Sequence, residues 1–329
     1  MKIAIIGDGG WGTANAMLLA GYGHVVTVWG HDAAYLAEIA ATHSNPRYLP
    51  GVALPESIRW TADRAAAVDG ADVVAFAVPS RHFAGVCASF ADAMPKDSIV
   101  VSLTKGLCER THWRMSEVLR AELGIARVAV LSGPTHAEEV VRGLPTAIVA
   151  AADDMADAEA VQAVWNGPTF RVYTSDDTLG VEMGGAVKNV IAIAAGCSDG
   201  LGLGDNTRAA LVTRGLAEVT RFACACGARP QTVAGLSGVG DLIVTCTSRH
   251  SRNHAVGERL GRGESMEDIA SSMKMVAEGV WNAPVVLSKA RELGVEMPIT
   301  EVVTRVCSGG MPVREALSSL MNRPPKAEG

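Results

Sequence analysis

The feature that most constrains the fold is a glycine-rich turn that follows the first apolar run of the chain. Gly7, Gly9 and Gly12 have the G-x-G-x-x-G spacing, and a helix-like run at 13–20 and a second apolar run at 24–29 follow them. The first glycine permits a tight turn, the second lets backbone approach a pyrophosphate, and the third lets the helix pack close to the sheet. Because N–H groups and the dipole at a helix start attract phosphates, the pattern predicts a dinucleotide-binding βαβ unit, with an ordinary βα turn as the alternative.

Up to about residue 175, short apolar runs alternate with helix-compatible segments, and a loop rich in proline and glycine is expected at 45–51. The further runs that we expect to be strands lie at 58–61, 72–78, 98–103, 127–131, 146–151 and 170–173. This alternation predicts an α/β fold with a doubly wound, Rossmann-type parallel sheet. Ligands of such sheets bind beyond the carboxyl ends of the strands, so chemistry is expected in the turns that follow them.

From about residue 179 the strand pattern stops and helix-compatible segments take over. They lie at 179–195, 207–226, 252–261, 266–272, 281–293, 299–306 and 313–320. A chain of 329 residues exceeds what one core usually supports. We therefore predict two domains, a dinucleotide-binding domain at 1–178 and an all-helical substrate and catalytic domain at 179–329.

Composition excludes several classes of function. The net charge of −6 gives no general affinity for nucleic acid, so an anionic substrate needs a local cluster of cations. We expect no membrane span, because no stretch reaches the apolar length required, and no signal peptide, because the first strand begins at residue 2. Seven cysteines without a C-x-x-C pair are typical of reduced thiols in a cytoplasmic protein.

A possible zinc motif is formed by Cys246, His250 and His254, which are spaced four residues apart. The intervening residues and the lack of a fourth ligand argue against it. We therefore predict no metal site.

Lys188 points most directly to chemistry, because it lies inside an otherwise apolar helical run. Helical side chains lean over positions i−3 and i−4, which here are Gly185 and Gly184. The ammonium is expected over a bare groove in which a ligand contacts the backbone. Close helix packing at the glycines, with a lysine that reaches toward solvent, is the alternative.

Asp241 and Lys105 are the expected partners of Lys188. Asp241 follows a Gly-x-Gly turn, and its alternative role is a helix N-cap. A carboxylate near Lys188 would hold the amine and keep it charged, whereas a second cation would lower the pKa of that amine. Lys105, in the turn after a strand, is the natural second cation unless it is a solvated turn lysine.

Ser251, Arg252 and Asn253 form the third candidate site. Ser251 is placed to cap a helix that begins at Arg252. A helix N-terminus with an arginine and two short hydrogen-bonding side chains is an anion site, and a plain cap beside a surface arginine is the alternative.

These residues lie in segments that resemble bacterial NAD(P)-dependent glycerol-3-phosphate dehydrogenases. The segments occur in the family's order at 7–13, 29–32, 104–106, 132–135, 184–192, 213–215, 238–241, 251–253 and 296–299. The resemblance implies reversible reduction of dihydroxyacetone phosphate to sn-glycerol 3-phosphate, the entry step of glycerophospholipid synthesis. It also implies a small phosphorylated substrate, and we expect a homodimer in the cytoplasm.

The resemblance further implies residue roles. Lys188 is the implied general acid/base, with Asp241 and Lys105 as further catalytic residues. The implied substrate contacts are Lys105, Gly133, Thr135, Lys188, Asp241, Ser251, Arg252 and Asn253. The implied cofactor contacts are Gly10, Trp11, His31, Lys105, Ala137, Arg252, Val276 and Glu278, together with Gly7, Gly9 and Gly12.

The chain departs from the family at two positions and leaves cofactor choice open. Asp8 stands where the family usually has alanine, and His136 where it usually has phenylalanine. Asp8 adds negative charge near the pyrophosphate site and would weaken cofactor binding if it points inward. An acid at the end of strand two selects the ribose of NAD, but here His31 comes first and Asp32 is set further out. We therefore predict NADPH, with NADH as the alternative.

Two other functions are compatible with the pattern. A β-hydroxyacid dehydrogenase of the 6-phosphogluconate type also combines a dinucleotide domain with a helical lysine. In that group an asparagine follows the lysine by one helical turn, whereas Asn189 is adjacent to Lys188. A non-catalytic nicotinamide sensor would bind the cofactor and would not need Lys188 or Arg252.

Overall fold

The computed structural model describes residues 1–273, 277–325 and 327, and its first half contains the predicted sheet. The strands are β1 (Lys2–Ile6), β2 (Val25–Trp29), β3 (Ser44–Asn45), β4 (Leu49–Ala53), β5 (Arg59–Thr61), β6 (Val73–Phe76), β7 (Ile99–Ser102), β8 (Val128–Ser132), β9 (Thr146–Ala152) and β10 (Phe170–Ser175). Within the described residues, all but β3 and β4 form one sheet in the order β10-β9-β8-β7-β6-β1-β2-β5. Every strand expected from the sequence is therefore confirmed, within a few residues at its ends.

Helices cover both faces of this sheet. They are α1 (Gly10–Gly21), α2 (Ala33–Thr42), α3 (Arg64–Val68), α4 (Ser80–Phe90), α5 (Met115–Leu123), α6 (Ala137–Val140) and α7 (Met155–Trp165). Side chains alternate between faces along a strand, and Ile3 and Ile5 lie in one apolar cluster while Ala4 and Ile6 lie in another. Burial on both faces explains why the strands read as continuous apolar runs.

The sheet departs from a fully parallel arrangement between β8 and β9, which pair antiparallel. The connecting helix α6 has four residues, so it advances only about 6 Å and cannot carry the chain back along a strand. The chain therefore reverses direction, and β10 then pairs parallel with β9.

The region 45–51, which was expected to be a loop, is not simply one. Strands β3 and β4 form a small antiparallel ribbon there, in which Pro50 needs no N–H partner.

The second half is helical, as predicted. Its helices are α8 (Thr178–Gly200), α9 (Gly204–Ala225), α10 (Pro230–Val233), α11 (Asp241–Thr247), α12 (Arg252–Gly261), α13 (Met266–Ser272), α14 (Glu278–Glu292), α15 (Pro298–Cys307) and α16 (Val313–Met321). A π-helical turn, Leu236–Gly240, runs directly into α11. The short elements between α9 and α12 were not expected, because four to seven residues give too little periodicity to read.

Helix α8 is the centre of this half, and nearly all of its residues are buried. Among the helices that the structure describes, it is the one long and apolar enough to cross a membrane by length and composition, with 94% of its apolar window buried inside the protein. The expectation that no stretch reaches this length is therefore wrong. The burial shows that α8 is a core helix in this fold, not a clear membrane span.

Small residues let α12 approach α8 closely. A Cβ added to Gly196 would lie 2.0 Å from the carbonyl oxygen of His254, and one added to Gly257 would lie 2.0 Å from that of Ile193. Real Cβ atoms cannot come so near backbone, so the two helices cross where both lack side chains. This crossing fixes the start of α12 relative to the middle of α8.

Glu182 joins α8 to the sheet half of the chain. Its carboxylate accepts hydrogen bonds from Ser116 N at 2.9 Å, Ser116 Oγ at 2.6 Å and Arg114 Nη1 at 3.0 Å. Burial raises the pKa of Glu182, and Arg114 and Ser116 act in the opposite direction. These bonds hold the start of α8 against the start of α5.

We expect Glu182→Ala to destabilise the protein by about 3–5 kcal/mol, because it leaves Arg114 and Ser116 without their buried partner. Urea unfolding measures the effect. Glu264→Ala is the control, since Glu264 pairs with Arg259 at the surface, where an ion pair contributes little. Equal unfolding free energies for the two variants would contradict the role of Glu182.

Candidate active site

A cavity of about 960 Å³ lies at the carboxyl edge of the sheet, facing the helical half. This volume is near the upper end of the range for small-molecule and cofactor sites. Most of the predicted site residues line it: Gly7, Gly9, Gly10, Trp11, His31, Lys105, Thr135, Ala137, Lys188, Asp241, Ser251, Arg252, Asn253 and Glu278. The structure therefore brings residues from both halves of the chain to one place.

The glycine turn forms one end of the cavity. Gly7 has φ +124°, and a Cβ there would lie 2.8 Å from the carbonyl oxygen of Ala77. Gly9 caps α1, and a Cβ there would meet nothing within 4 Å. Gly12 packs against the backbone that directly follows β1, since its Cβ would lie 1.9 Å from the carbonyl oxygen of Gly7. Gly7 thus makes the tight turn, Gly9 leaves the approach to the backbone open, and Gly12 allows close packing, as predicted. The turn therefore fits a pyrophosphate.

Lys188, Asp241 and Lys105 meet at the other end. Lys188 Nζ donates to Asp241 Oδ1 and, at 2.8 Å, to Thr245 Oγ1. Lys105 Nζ donates to Asp241 Oδ2 at 2.7 Å and to the carbonyl oxygen of Gly133 at 2.9 Å. Asp241 has no exposed surface, and Lys188 is 6% exposed. One buried carboxylate therefore holds two ammonium groups at the cavity wall.

The glycines before Lys188 have a different use from the one expected. A Cβ on Gly184 would lie 2.9 Å from the carbonyl oxygen of Ser237, and one on Gly185 would lie 2.9 Å from Ser132 Oγ and 3.5 Å from Lys105 Cγ. The groove over them is filled by the protein itself, so the expectation of a bare ligand groove is wrong. The glycines admit the π-helical turn and Lys105, and Lys188 faces the cavity beyond them.

The π-helical turn places Asp241. Gly238 lies against α10, because a Cβ there would be 1.9 Å from the carbonyl oxygen of Val233. Asp241 is the first residue of α11, after Gly240 as N-cap, so the alternative of an N-cap aspartate is wrong. Its side chain turns instead to the two lysines. Single π-turns are frequent at functional sites, where they redirect a side chain.

The pKa of Lys188 is lowered to about 7: burial lowers it most, Asp241 acts in the opposite direction, and the charge of Lys105 also lowers it. An amine with a pKa near 7 exchanges its proton readily at neutral pH. The cluster can therefore act as a proton donor and acceptor.

The Ser251-Arg252-Asn253 segment begins α12. Ser251 Oγ accepts from His254 N at 3.2 Å, so the predicted cap is confirmed. Asn253 is a structural connection as well, since its Oδ1 accepts from Gly279 N at 2.8 Å and its Nδ2 donates to Asn189 Oδ1 at 3.0 Å. The segment thus presents a helix N-terminus and the Arg252 side chain to the cavity, tied to α8 and α14.

Thr245 is the contact of Lys188 that sequence reasoning missed. It lies four residues after Asp241 on α11, and such pairs share one helix face. That spacing was the available signal.

Ser80 was missed as well. Its Oγ donates to Glu278 Oε2 at 3.2 Å. Burial raises the pKa of Glu278, and Arg252 and Ser80 act in the opposite direction.

The remaining candidates are placed as follows. Gly133 contributes its carbonyl to Lys105, and Thr135 donates to the same carbonyl at 3.1 Å. Val276 lies outside the described residues.

Two residues of the possible zinc motif have other surroundings: Cys246 is buried, and His254 bonds to Asp199 at 2.8 Å. In the part of the chain that the structure describes, no three His, Cys, Asp or Glu side chains are grouped to hold a metal ion.

Comparison with known proteins gives consistent matches over the whole chain. Residues 2–158 and 177–318 match the models of the N-terminus and C-terminus of NAD-dependent glycerol-3-phosphate dehydrogenase. The chain is 49% identical to glycerol-3-phosphate dehydrogenase [NAD(P)+] of Chlorobium phaeobacteroides (100% of this chain, 99% of the relative) and 49% identical to that of Geobacillus kaustophilus (99% and 96%). The crystal structure of glycerol-3-phosphate dehydrogenase from Coxiella burnetii superposes with a TM-score of 0.95 at 38% identity, covering 98% of this chain and 99% of that one.

We expect substitutions of Gly12 and Gly9 to have different effects, the first on stability and the second on dinucleotide binding. Gly12→Ala should lower the free energy of unfolding by about 1–3 kcal/mol, because the methyl group collides with backbone. Gly9→Ala should cost about 1 kcal/mol or less and weaken dinucleotide binding at least about tenfold, because it fills the approach to the pyrophosphate. Urea unfolding and calorimetric titration with NADH measure the two effects. Loss of stability in Gly9→Ala equal to that in Gly12→Ala would refute the assignment.

Proposed function

The chain belongs to the NAD-dependent glycerol-3-phosphate dehydrogenase family, and we propose that the cavity is where it carries out the family's reaction. That reaction is the reversible reduction of dihydroxyacetone phosphate to sn-glycerol 3-phosphate with NADPH or NADH. The observation that carries this assignment is the buried Lys188–Asp241–Lys105 cluster in a cavity that also contains the glycine turn. Proton transfer and dinucleotide binding are thus supported within one space.

The turn after β1 is the proposed dinucleotide site. Gly9 and Gly10 would hold the pyrophosphate at the N-terminus of α1, where backbone N–H groups point outward. The carboxyl ends of β1 and β2 lie beside it, with His31 at the cavity wall. When bound at this turn, the nicotinamide cofactor would supply the hydride that reduces the ketone carbon.

Lys188 is the proposed general acid in reduction and general base in oxidation. Its ammonium gives a proton to the carbonyl oxygen as negative charge develops there, and its neutral amine takes the proton back in the reverse direction. Asp241 and Thr245 hold Nζ in place by hydrogen bonds. Lys105 adds a second positive charge that stabilises the developing alkoxide.

The start of α12 is the proposed phosphate site. Ser251, Arg252 and Asn253 surround a helix N-terminus, which attracts an anion and offers backbone N–H donors. Arg252 is suited to bidentate binding of phosphate oxygens. Binding energy from this remote group positions the carbonyl at Lys188.

Further parts of the assignment follow from the family and the fold. We propose that the sheet portion at 1–178 binds the dinucleotide and the helical portion at 179–329 supplies the substrate site. We also propose a homodimer in the cytoplasm that supplies sn-glycerol 3-phosphate for glycerophospholipid synthesis. Gel filtration with light scattering tests the dimer.

We expect Lys188→Met to lower kcat for dihydroxyacetone phosphate by about 10²- to 10⁴-fold, the usual contribution of a general acid. Binding of NADH should be retained, which shows that the variant is folded. Lys96→Met is the control, because Lys96 is an exposed lysine that precedes β7, at the opposite end of this strand from Lys105. Full activity in Lys188→Met, or turnover of 6-phosphogluconate in place of dihydroxyacetone phosphate by the wild-type protein, would overturn the assignment.

We expect opposite pH dependences for the two directions. As pH rises through about 7, Lys188 loses its proton, so kcat/KM for ketone reduction should fall and that for alcohol oxidation should rise. Asp241→Asn should move both inflections to lower pH, because Asp241 raises the pKa of Lys188. Inflections at the same pH in wild type and variant would show that another group titrates.

A further inference from the structure

We propose that Asp8 determines cofactor preference: its carboxylate accepts hydrogen bonds from the hydroxyls of the adenosine ribose of NADH and repels the 2′-phosphate of NADPH. This inference rests on the proposed function, since it takes the dinucleotide to lie along the turn between Gly7 and Gly12. It reverses the preference for NADPH expected from the sequence.

The sheet order defines which end of the cavity receives adenosine. Lys105 and Gly133 follow β7 and β8, and Lys188 meets Lys105 there, so the reacting nicotinamide half belongs on that side of β1. The adenosine half therefore extends across the start of α1 toward β2. In doubly wound folds the ribose is recognised by an acid at the end of that strand.

Asp8 occupies the position that such an acid would have, although it comes from the glycine turn and not from β2. A Cβ added to Gly30, the residue after β2, would lie 2.8 Å from Asp8 Cγ and 3.0 Å from Asp8 Oδ2. Gly30 thus makes room for the carboxylate at the carboxyl end of β2. Asp8 also lines the cavity while only 8% of its surface is exposed.

The backbone around Asp8 is fixed. Its carbonyl oxygen accepts from Asn45 Nδ2 at 2.8 Å and from Thr13 Oγ1 at 3.2 Å. Asn45 is fully buried, and its Oδ1 accepts from the hydroxyl of Tyr35 at 2.6 Å. The side chain of Asp8 is therefore presented from a rigid support, which is what discrimination between two similar ligands requires.

The carboxylate of Asp8 can accept further hydrogen bonds. Its own backbone N–H donates to it, whereas the two oxygens of a carboxylate can accept about four hydrogen bonds. Ribose hydroxyls are donors and would satisfy it, whereas a 2′-phosphate removes one hydroxyl and brings like charge to a poorly solvated carboxylate. Ribose of the unphosphorylated cofactor is the better partner.

The charge of Arg47 does not cancel this effect. Arg47 pairs with Asp32 at 3.3 Å and stacks on the ring of Tyr35 at 3.8 Å. Its charge is thus already balanced by a carboxylate two residues beyond Gly30. Three further basic side chains, His31, Arg81 and His82, line the cavity, and Arg81 Nε donates to His82 Nε2 at 2.8 Å.

The test compares wild type, Asp8→Asn and Asp63→Asn. Asp8→Asn keeps the shape and removes the charge, so we expect the NADPH-to-NADH ratio of kcat/KM to rise by about 10- to 100-fold. Asp63→Asn is the control, because Asp63 is an exposed aspartate that follows β5 at the same edge of the sheet and is outside the cavity lining. The variant removes one charge and keeps the helix cap of α3, since asparagine caps as well as aspartate. We expect it to change the ratio far less.

Direct binding separates this inference from the proposed function. Dissociation constants of NADH and NADPH, measured by calorimetry without substrate, should show the same shift in Asp8→Asn. If no dihydroxyacetone phosphate is turned over but the binding shift appears, the proposed reaction fails and the role of Asp8 stands. An unchanged ratio in Asp8→Asn, or an equal shift in Asp63→Asn, would overturn the role of Asp8.

Discussion

The ion pair between Lys188 and Asp241 is the interaction on which the site depends. Taking both charges out of water is costly, and the cost is offset only because Thr245 and Lys105 complete the hydrogen bonding around them. The pair also requires α8 to lie very close to the π-helical turn that leads into α11, which Gly184 allows. Local packing and proton chemistry therefore rest on the same few positions.

Much of the architecture was readable from the sequence, because the physical signals were strong and local. The apolar runs of the sheet, the spacing of Gly7, Gly9 and Gly12, and the cap at Ser251 each follow from one short stretch of residues. Signals that arise from two distant stretches were not readable. The reversal at β9 and the route of α11 past α8 depend on tertiary contacts that no single window contains.

The glycines before Lys188 show this limit most clearly. From sequence, two adjacent glycines in a helix indicate that something approaches the backbone, and that inference is right. What approaches is Ser237 and Lys105, residues far away in the chain. Spacing identifies a close approach, but the identity of the neighbour needs the fold. Asp8 is similar, because its proximity to Gly30 is invisible until β1 and β2 are paired.

The reversed direction of β9 and β10 determines the position that Lys188 must have along α8. Since β10 ends at the edge of the sheet opposite to the cavity, α8 starts there and runs alongside β8 toward the cavity. Val181 packs on Val130, and Gly185 lies beside Ser132 at the end of β8. Ten residues from Thr178 to Lys188 raise the chain by about 15 Å, close to the length of a five-residue strand. The length of α8 before Lys188 therefore determines that the amine lies at the height of the proposed ligand site. Losing a single residue from it would lower the amine by about 1.5 Å and turn it by about 100° into the core.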